Sequence, residues 1–418
     1  MRGKLSYFYR LFPMLLLIFI DSFSFFVIIP VLLKIFYHNH YALLPESTSL
    51  AVRNMLTGIM IALSMFSALI FAPIIGRASD KFGRKKTLLF CIGFVFLGFL
   101  LPMVGIIQKN IVLIFIGRFI SGIGSASQPV AQAAVADLCT GDEKARYLSF
   151  IAFMMTLALI VGPLAGGLLS DSHIEPYFHV ITPFVFSLGM SAFCFILIAY
   201  FFKETLSKKS MINTIGFFET IAGLPKIIKQ YSIGALVVLF FCLELGWSQY
   251  YQSIDLLLQL KWHFSIEKIS IFSASMGIAM SFGLLIIYPV LLRFFTLKKM
   301  LIANVFLVLI GLLACATIPF SLAQWFFASV VALCTGMAYI SLITIISNKV
   351  DAKYQGLLMG YLSALLYLAW VLTAFNSGFL MSLYKNMPLY LAVVFLVIGI
   401  IVEKRTVSRV KLEPTHAN

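Results

Sequence analysis

The chain has 418 residues, of which 61% are hydrophobic and 11% charged, with a formal net charge of +15. A soluble domain is about one quarter charged, so this composition excludes a water-soluble globular protein and puts almost the whole chain in lipid. The surplus of cations would suit nucleic acid, but they cluster in the short segments between apolar runs, as membrane topology requires.

A spanning helix needs about 20 apolar residues. Twelve runs meet that length: 11–35, 54–75, 87–107, 111–136, 146–170 and 180–202, then 232–258, 268–292, 299–318, 322–347, 355–380 and 384–402. The first holds Asp21 in its middle and lacks a small-residue cleavage site, so it reads as helix 1 and not as a signal peptide. Arg2, Lys4 and Arg10 precede it, and Arg77, Lys81, Arg84, Lys85 and Lys86 fill the second loop. Further cations fall on the same side: Lys144 and Arg146, then Lys203, Lys208, Lys209, Lys226 and Lys229, then Arg293, Lys298 and Lys299, then Lys349 and Lys353, then Lys404, Arg405, Arg409 and Lys411, against Lys34, Arg53, Lys109, Lys261, Lys268 and Lys385 on the other. By the positive-inside rule both termini are expected in the cytoplasm, and an even helix count agrees in placing them on one side.

Residues 203–231 break the pattern and become amphipathic from Met211 to Gln230, with Phe217, Phe218, Ile221, Leu224 and Ile228 at helical spacing. The expected organisation is a six-helix bundle over 1–202, a cytoplasmic linker over 203–231 with an interfacial helix, a second bundle over 232–403 and a cytoplasmic tail over 404–418. A loose repeat, Gly141-Asp142-Glu143-Lys144 against Val350-Asp351-Ala352-Lys353, lies half a chain apart and fits paired bundles.

In the second loop, Gly76 and Gly83 permit tight turns, the cations hold the segment at the cytoplasmic surface, and Asp80 is placed for the positive start of the next helix to stabilise it. On the residues alone this is either a topology anchor or a latch. The pattern Gly-x-x-x-Asp-Lys-x-Gly-Arg-Lys-Lys resembles the loop between helices 2 and 3 of the major facilitator superfamily, whose members move small solutes across membranes. That resemblance implies an all-α polytopic membrane protein, twelve transmembrane helices in two pseudo-symmetric six-helix bundles. It also implies a conformational latch of Gly76, Asp80, Gly83 and Arg84 with Asp137 and Arg146.

In span 5, Ala158-Leu159-Ile160-Val161-Gly162-Pro163-Leu164-Ala165-Gly166-Gly167 is similar to the Gly-x-x-x-Gly-Pro-x-x-Gly-Gly signature of antiporters in that superfamily, with Ala158 in place of the first glycine. Gly162, Pro163, Gly166 and Gly167 are either an antiporter motif or small-residue packing around a bend. Arg118-Phe119-Ile120-Ser121-Gly122, Ala136-Asp137 with Gly141 to Arg146, Lys203-Glu204-Thr205-Leu206 and Val350 to Gly356 resemble the twelve-helix drug:proton antiporter branch that includes the tetracycline exporters. The C-terminal half departs from it, since Arg293 to Lys299 lacks the acid and glycine of the first charged loop.

Asp21, Arg118 and Glu244 lie well inside predicted spans. Each costs about 2.5–3.5 kcal/mol at mid-helix, which makes it a functional candidate. In span 4, Arg118, Ser121, Ser125, Gln128 and Gln132 form one polar stripe; in span 7, Glu244, Ser248, Tyr251, Gln252, Asp255 and Gln259 form another, edged by Trp247 and Tyr250. The resemblance places both on cavity-lining helices, with Asp21 and Arg118 at the positions of the exporters' helix-1 acid and helix-4 arginine. A carboxylate balanced between desolvation and an arginine can exchange a proton. The alternative is a permanent ion pair between Asp21 and Arg118. Glu244 and Asp21, with Trp247, Tyr250 and Tyr251, would suit an amphipathic cation.

No catalytic constellation and no Gly-x-x-x-x-Gly-Lys-Ser/Thr loop occurs, so an ion gradient is the expected driving force and enzyme activity is not expected. The six cysteines lack metal-type spacing, and His38 and His40 lack a third ligand, so no metal or cofactor is expected. The reading is a secondary active transporter, a proton-coupled antiporter exporting amphipathic small molecules by alternating access. Its alternatives are a dedicated metabolite or siderophore transporter of the same fold and, more remotely, a non-transporting membrane sensor. The expected partners are a small molecule, protons and the bilayer, without nucleic acid. A monomer in a bacterial inner membrane is expected, since such helices do not form the barrels of outer membranes.

Overall fold

The structure is a computed structural model that describes residues 2–37, 43–170, 175–206, 225–264 and 266–412. Apolar length determines its architecture. The helices are α1 (Arg2–Tyr37), α2 (Leu50–Phe82), α3 (Arg84–Ile107), α4 (Ile111–Gly124), α5 (Ser127–Leu138), α6 (Gly141–Leu168) and α7 (Thr182–Phe201). They continue with α8 (Gly234–Trp262), α9 (Ile266–Phe282), α10 (Tyr288–Leu291), α11 (Leu297–Thr317), α12 (Ser321–Asn348), α13 (Gln355–Leu383) and α14 (Met387–Leu412). Among the described residues there is no strand, and 11 helical stretches are long and apolar enough to cross a membrane. The twelfth predicted span is α8, a helix of 29 residues whose apolar length is interrupted by Glu244, Asp255 and Lys261. The predicted interfacial helix lies outside the described residues up to 224, and 225–230 are helical. His38 and His40 also lie outside them.

Two predicted spans are not single α-helices, and proline accounts for both. Span 4 is broken between α4 and α5, where Pro129 has no N–H to offer the Ser125 carbonyl four residues earlier. The polar stripe from Arg118 to Gln132 therefore turns a corner at Ser125 and Ala126. Span 8 passes through a π-helical turn, Gly283–Ile287, between α9 and α10, just before Pro289.

The chain packs as two compact units. The first comprises Met1–Cys139, Phe150–Ile221 and Ala352–Tyr367; the second comprises Thr140–Ser149, Ala222–Asp351 and Leu368–Asn418. Each unit thus holds a short segment from the opposite half of the sequence.

Lipid gives helices no hydrophobic reason to associate, so close backbone packing has to do it. In the first unit Gly98 of α3 meets Ser121 of α4, Gly117 meets Pro102, and Gly122 lies against the Ser64 carbonyl of α2. In the second unit Gly311 of α11 meets Val331 of α12, and Gly399 of α14 meets Cys242 and Leu239 of α8. Large apolar side chains such as Phe186, Phe193 and Phe195 of α7 stay exposed, as a lipid-facing surface allows.

Candidate functional site

Asp21 is buried midway along α1 and points at the corner between α4 and α5. The Ser125 hydroxyl donates to its Oδ1 at 2.9 Å and the Ser127 hydroxyl to its Oδ2 at 3.1 Å. Both hydroxyls are there because the helix breaks; in a continuous helix, residues two apart diverge. Gln128 is buried one residue further on.

Arg118 is also buried, yet it makes no ion pair with Asp21. Its Nη2 donates to the Ser64 hydroxyl at 2.8 Å, its Nε to the Met60 carbonyl at 3.3 Å and its Nη1 to the Ser24 carbonyl at 3.4 Å. The guanidinium lies 5.7 Å from the centre of the Phe25 ring. Arg118 therefore ties α4 to α1 and α2 through neutral acceptors and an aromatic face. The permanent ion pair that the sequence left open is absent here.

The second cluster surrounds Arg84, which is fully buried. Its Nη1 lies 2.7 Å from Asp80 Oδ1, and its Nε and Nη2 donate to Asp137 at 2.8 and 3.3 Å. Ser79 accepts from Nη1, and the Thr205 hydroxyl donates to Asp137 at 3.3 Å. A planar fork shared by two carboxylates is a geometry that only arginine provides.

The sequence placed Asp80 against the start of the next helix, and the structure corrects this. Asp80 instead accepts the backbone N–H groups of Gly356 at 2.9 Å and Leu357 at 2.8 Å, in the first turn of α13. The start of α3 is taken by Glu204, which accepts from the Arg84 N–H at 2.9 Å and the Lys85 N–H at 3.2 Å. Both carboxylates satisfy helix amides that have no intrahelical partner. Asp80 reaches α13 because Gly76 and Gly356 bring the two backbones into contact; a Cβ on Gly76 would collide with the Gly356 carbonyl. Gly83, with φ of 103°, makes the turn into α3. Arg146 is exposed and belongs to the second unit.

Of the motif in α6, Gly162 packs on Phe26 and Gly166 on the Val27 carbonyl of α1, where a Cβ at either position would clash. Pro163 is half-buried and Gly167 faces open space.

In the second unit Glu244 is buried on α8, and no partner for its carboxylate is found among the described residues. Seven residues on, Tyr251 contacts Trp247 at 5.5 Å and Trp370 of α13 at 5.6 Å between ring centres. Gln252 donates to the Thr373 hydroxyl at 2.7 Å and the Trp370 carbonyl at 3.1 Å, and Thr373 in turn donates to Ser248 at 3.0 Å. Asp255 is exposed and accepts from Ser273 of α9 at 2.9 Å. The predicted stripe is thus one continuous face with Glu244 at one end. Sequence reasoning did not single out Ser127, Tyr367, Trp370 or Thr373, and it gave Glu204 no role. The Lys203-Glu204-Thr205-Leu206 segment, noted only for its resemblance, was the one available signal, and the others come from the tertiary packing.

The model described as Major Facilitator Superfamily matches residues 11–374. The chain is 34% identical over 155 residues to the class H tetracycline resistance protein of Pasteurella multocida, a stretch covering 37% of this chain and 36% of that protein. It is 27% identical over 381 residues to the class E tetracycline resistance protein of Escherichia coli, covering 88% and 87%. The crystal structure of a human organic anion transporter superposes with a TM-score of 0.79 at 16% identity, over 94% of this chain and 99% of that one.

Proposed function

The chain belongs to the Major Facilitator Superfamily and is a multi-pass membrane protein, and from that premise we propose that it is a proton-coupled antiporter exporting amphipathic small molecules by alternating access. It works as a monomer in the cytoplasmic membrane, with both termini in the cytoplasm. The observation that carries the reading is the setting of Asp21. A buried carboxylate held by two hydroxyls, and not neutralised by Arg118, can take up and release a proton without breaking an ion pair. The similarity to tetracycline resistance proteins supports the export direction.

The remaining residues take further roles in the cycle. Arg118 holds the helices that frame it, so it sets the proton affinity of Asp21 through position. Glu244, Trp247, Tyr251 and Asp255 supply an acid and aromatic faces for the substrate, and Gln128 lines the same polar stripe as Ser125. Gly76, Asp80, Gly83, Arg84 and Asp137 serve as the latch. Gly162, Pro163, Gly166 and Gly167 let α6 bear closely on α1. One proton crossing 100 mV releases about 2.3 kcal/mol, and each pH unit adds about 1.4, enough for a gradient of one to two orders of magnitude.

The test uses inverted vesicles with an acid interior, a panel of cationic, zwitterionic and anionic compounds, and a record of lumenal pH. Compound-dependent proton release that is lost in Asp21→Asn or Glu244→Gln is expected. Absence of release with every compound, from correctly inserted protein, would overturn drug export and favour a dedicated metabolite.

A further inference from the structure

The Ser125 hydroxyl has one proton and two acceptors in reach, Asp21 Oδ1 at 2.9 Å and the Ser121 carbonyl at 3.3 Å. It can serve only one at a time. When Asp21 is ionised the carboxylate is the stronger acceptor and takes it. When a proton binds Oδ1, the new O–H becomes the donor toward Ser125 Oγ, and the serine proton turns to the Ser121 carbonyl.

The backbone of the same residue is equally unusual. Pro129 offers no N–H, so the Ser125 carbonyl lacks its usual partner four residues on and accepts the Gln128 N–H at 3.3 Å and the Tyr367 hydroxyl at 3.4 Å. Tyr367 lies on α13, the helix whose first turn Asp80 holds through Gly356 and Leu357. One residue at a helix break thus touches the acid with its side chain and α13 with its carbonyl.

We propose that Ser125 is a positioning residue that reads the protonation of Asp21 and passes it, through its carbonyl and Tyr367, to α13. This rests on Asp21 being the coupling acid. Ser127 is the fixed half of the device, holding Oδ2 while Ser125 changes partner. Other charged or titratable groups around α1 do not substitute for it. Arg118 of α4 is engaged by carbonyls and Ser64, Arg53 of α2 by the Phe36, Pro45 and Thr48 carbonyls, and Cys194 of α7 by the Pro13 carbonyl. Cys91 of α3 is a buried free cysteine, Lys34 on α1 itself donates to Ser170, and Asp137 of α5 is bound by Arg84.

The experiment uses the full chain in lipid nanodiscs. Infrared difference spectra across a pH titration follow the Asp21 carboxyl band, identified by its absence in Asp21→Asn, and hydrogen exchange follows residues 352–367 over the same range. In the wild type the two readouts share a midpoint. Ser125→Ala loses a donor to the anion, so the proton is held about tenfold more tightly, and Ser125→Thr restores the wild-type midpoint. Tyr367→Phe leaves the carboxyl midpoint within about twofold while the exchange of 352–367 stops following it. The proposal is overturned if Ser125→Ala and Tyr367→Phe match the wild type in both readouts. If Asp21→Asn retains proton-driven release in the vesicle assay, the coupling role of Asp21 fails and the switch fails with it. If Asp21→Asn abolishes release but the other variants couple normally, the switch alone fails.

Discussion

The two units each receive a helix start from the opposite half of the sequence, but they hold it by different chemistry. In the first unit the start of α13 is held by Asp80, itself fixed by Arg84 and Asp137, with the backbones in contact at Gly76 and Gly356. In the second unit the start of α6 is held by Lys144, whose Nζ donates to the Ser347 hydroxyl of α12 at 3.1 Å. Nearby, Tyr288 and Ser341 share a hydrogen bond at 3.1 Å, and the Tyr231 hydroxyl donates to Asp351 at 2.7 Å. A buried two-acid, one-arginine cluster is costly to disrupt, since removing one partner strands the others.

That contrast orders the expected effects. Arg84→Ala strands Asp80 and Asp137 in a buried site and should cost about 3–5 kcal/mol of stability, read from unfolding in detergent and SDS mixtures. Arg84→Lys should recover only part of it, because an ammonium cannot span both carboxylates. Asp80→Asn comes next at about 2–3 kcal/mol, since an amide presents an N–H₂ to one of the two α13 amides. On the other side, Lys144→Met should cost about 1–2 kcal/mol. An equal loss from Lys144→Met and Arg84→Ala would break the comparison. The smallest effect belongs to Glu204→Gln, below about 1 kcal/mol, because Glu204 is exposed, its amide oxygen still accepts one α3 N–H and water can satisfy the other; a larger loss would mean that its charge matters beyond capping.

The asymmetry also explains what was legible beforehand. The Gly76 to Lys86 loop is conspicuous because it needs both glycines and an acid among cations, and Asp80, Gly83, Arg84 and Asp137 lie together in the first unit. Its counterpart on the second side has no such pattern, and Lys144 and Ser347 are separated by 203 positions. For Asp80 the residue was identified and its partner was not. Backbone amides at a helix start carry no side-chain signature, so either α3 or α13 satisfied the local chemistry. The competition was decided by Glu204, which takes the amides of α3.

The sequence by itself determined the membrane class, the helical spans, the arrangement of basic loops, the family and the buried ionisable residues, because these follow from apolar length, charge placement and short motifs. Only the tertiary structure decided that Asp21 meets two serines at a proline-made corner, that Arg118 binds carbonyls instead of Asp21, and that Asp80 grips α13, 276 positions away. Those outcomes depend on which backbones approach closely enough to present unpaired N–H and C=O groups, and that is a property of packing between distant helices that no local period records.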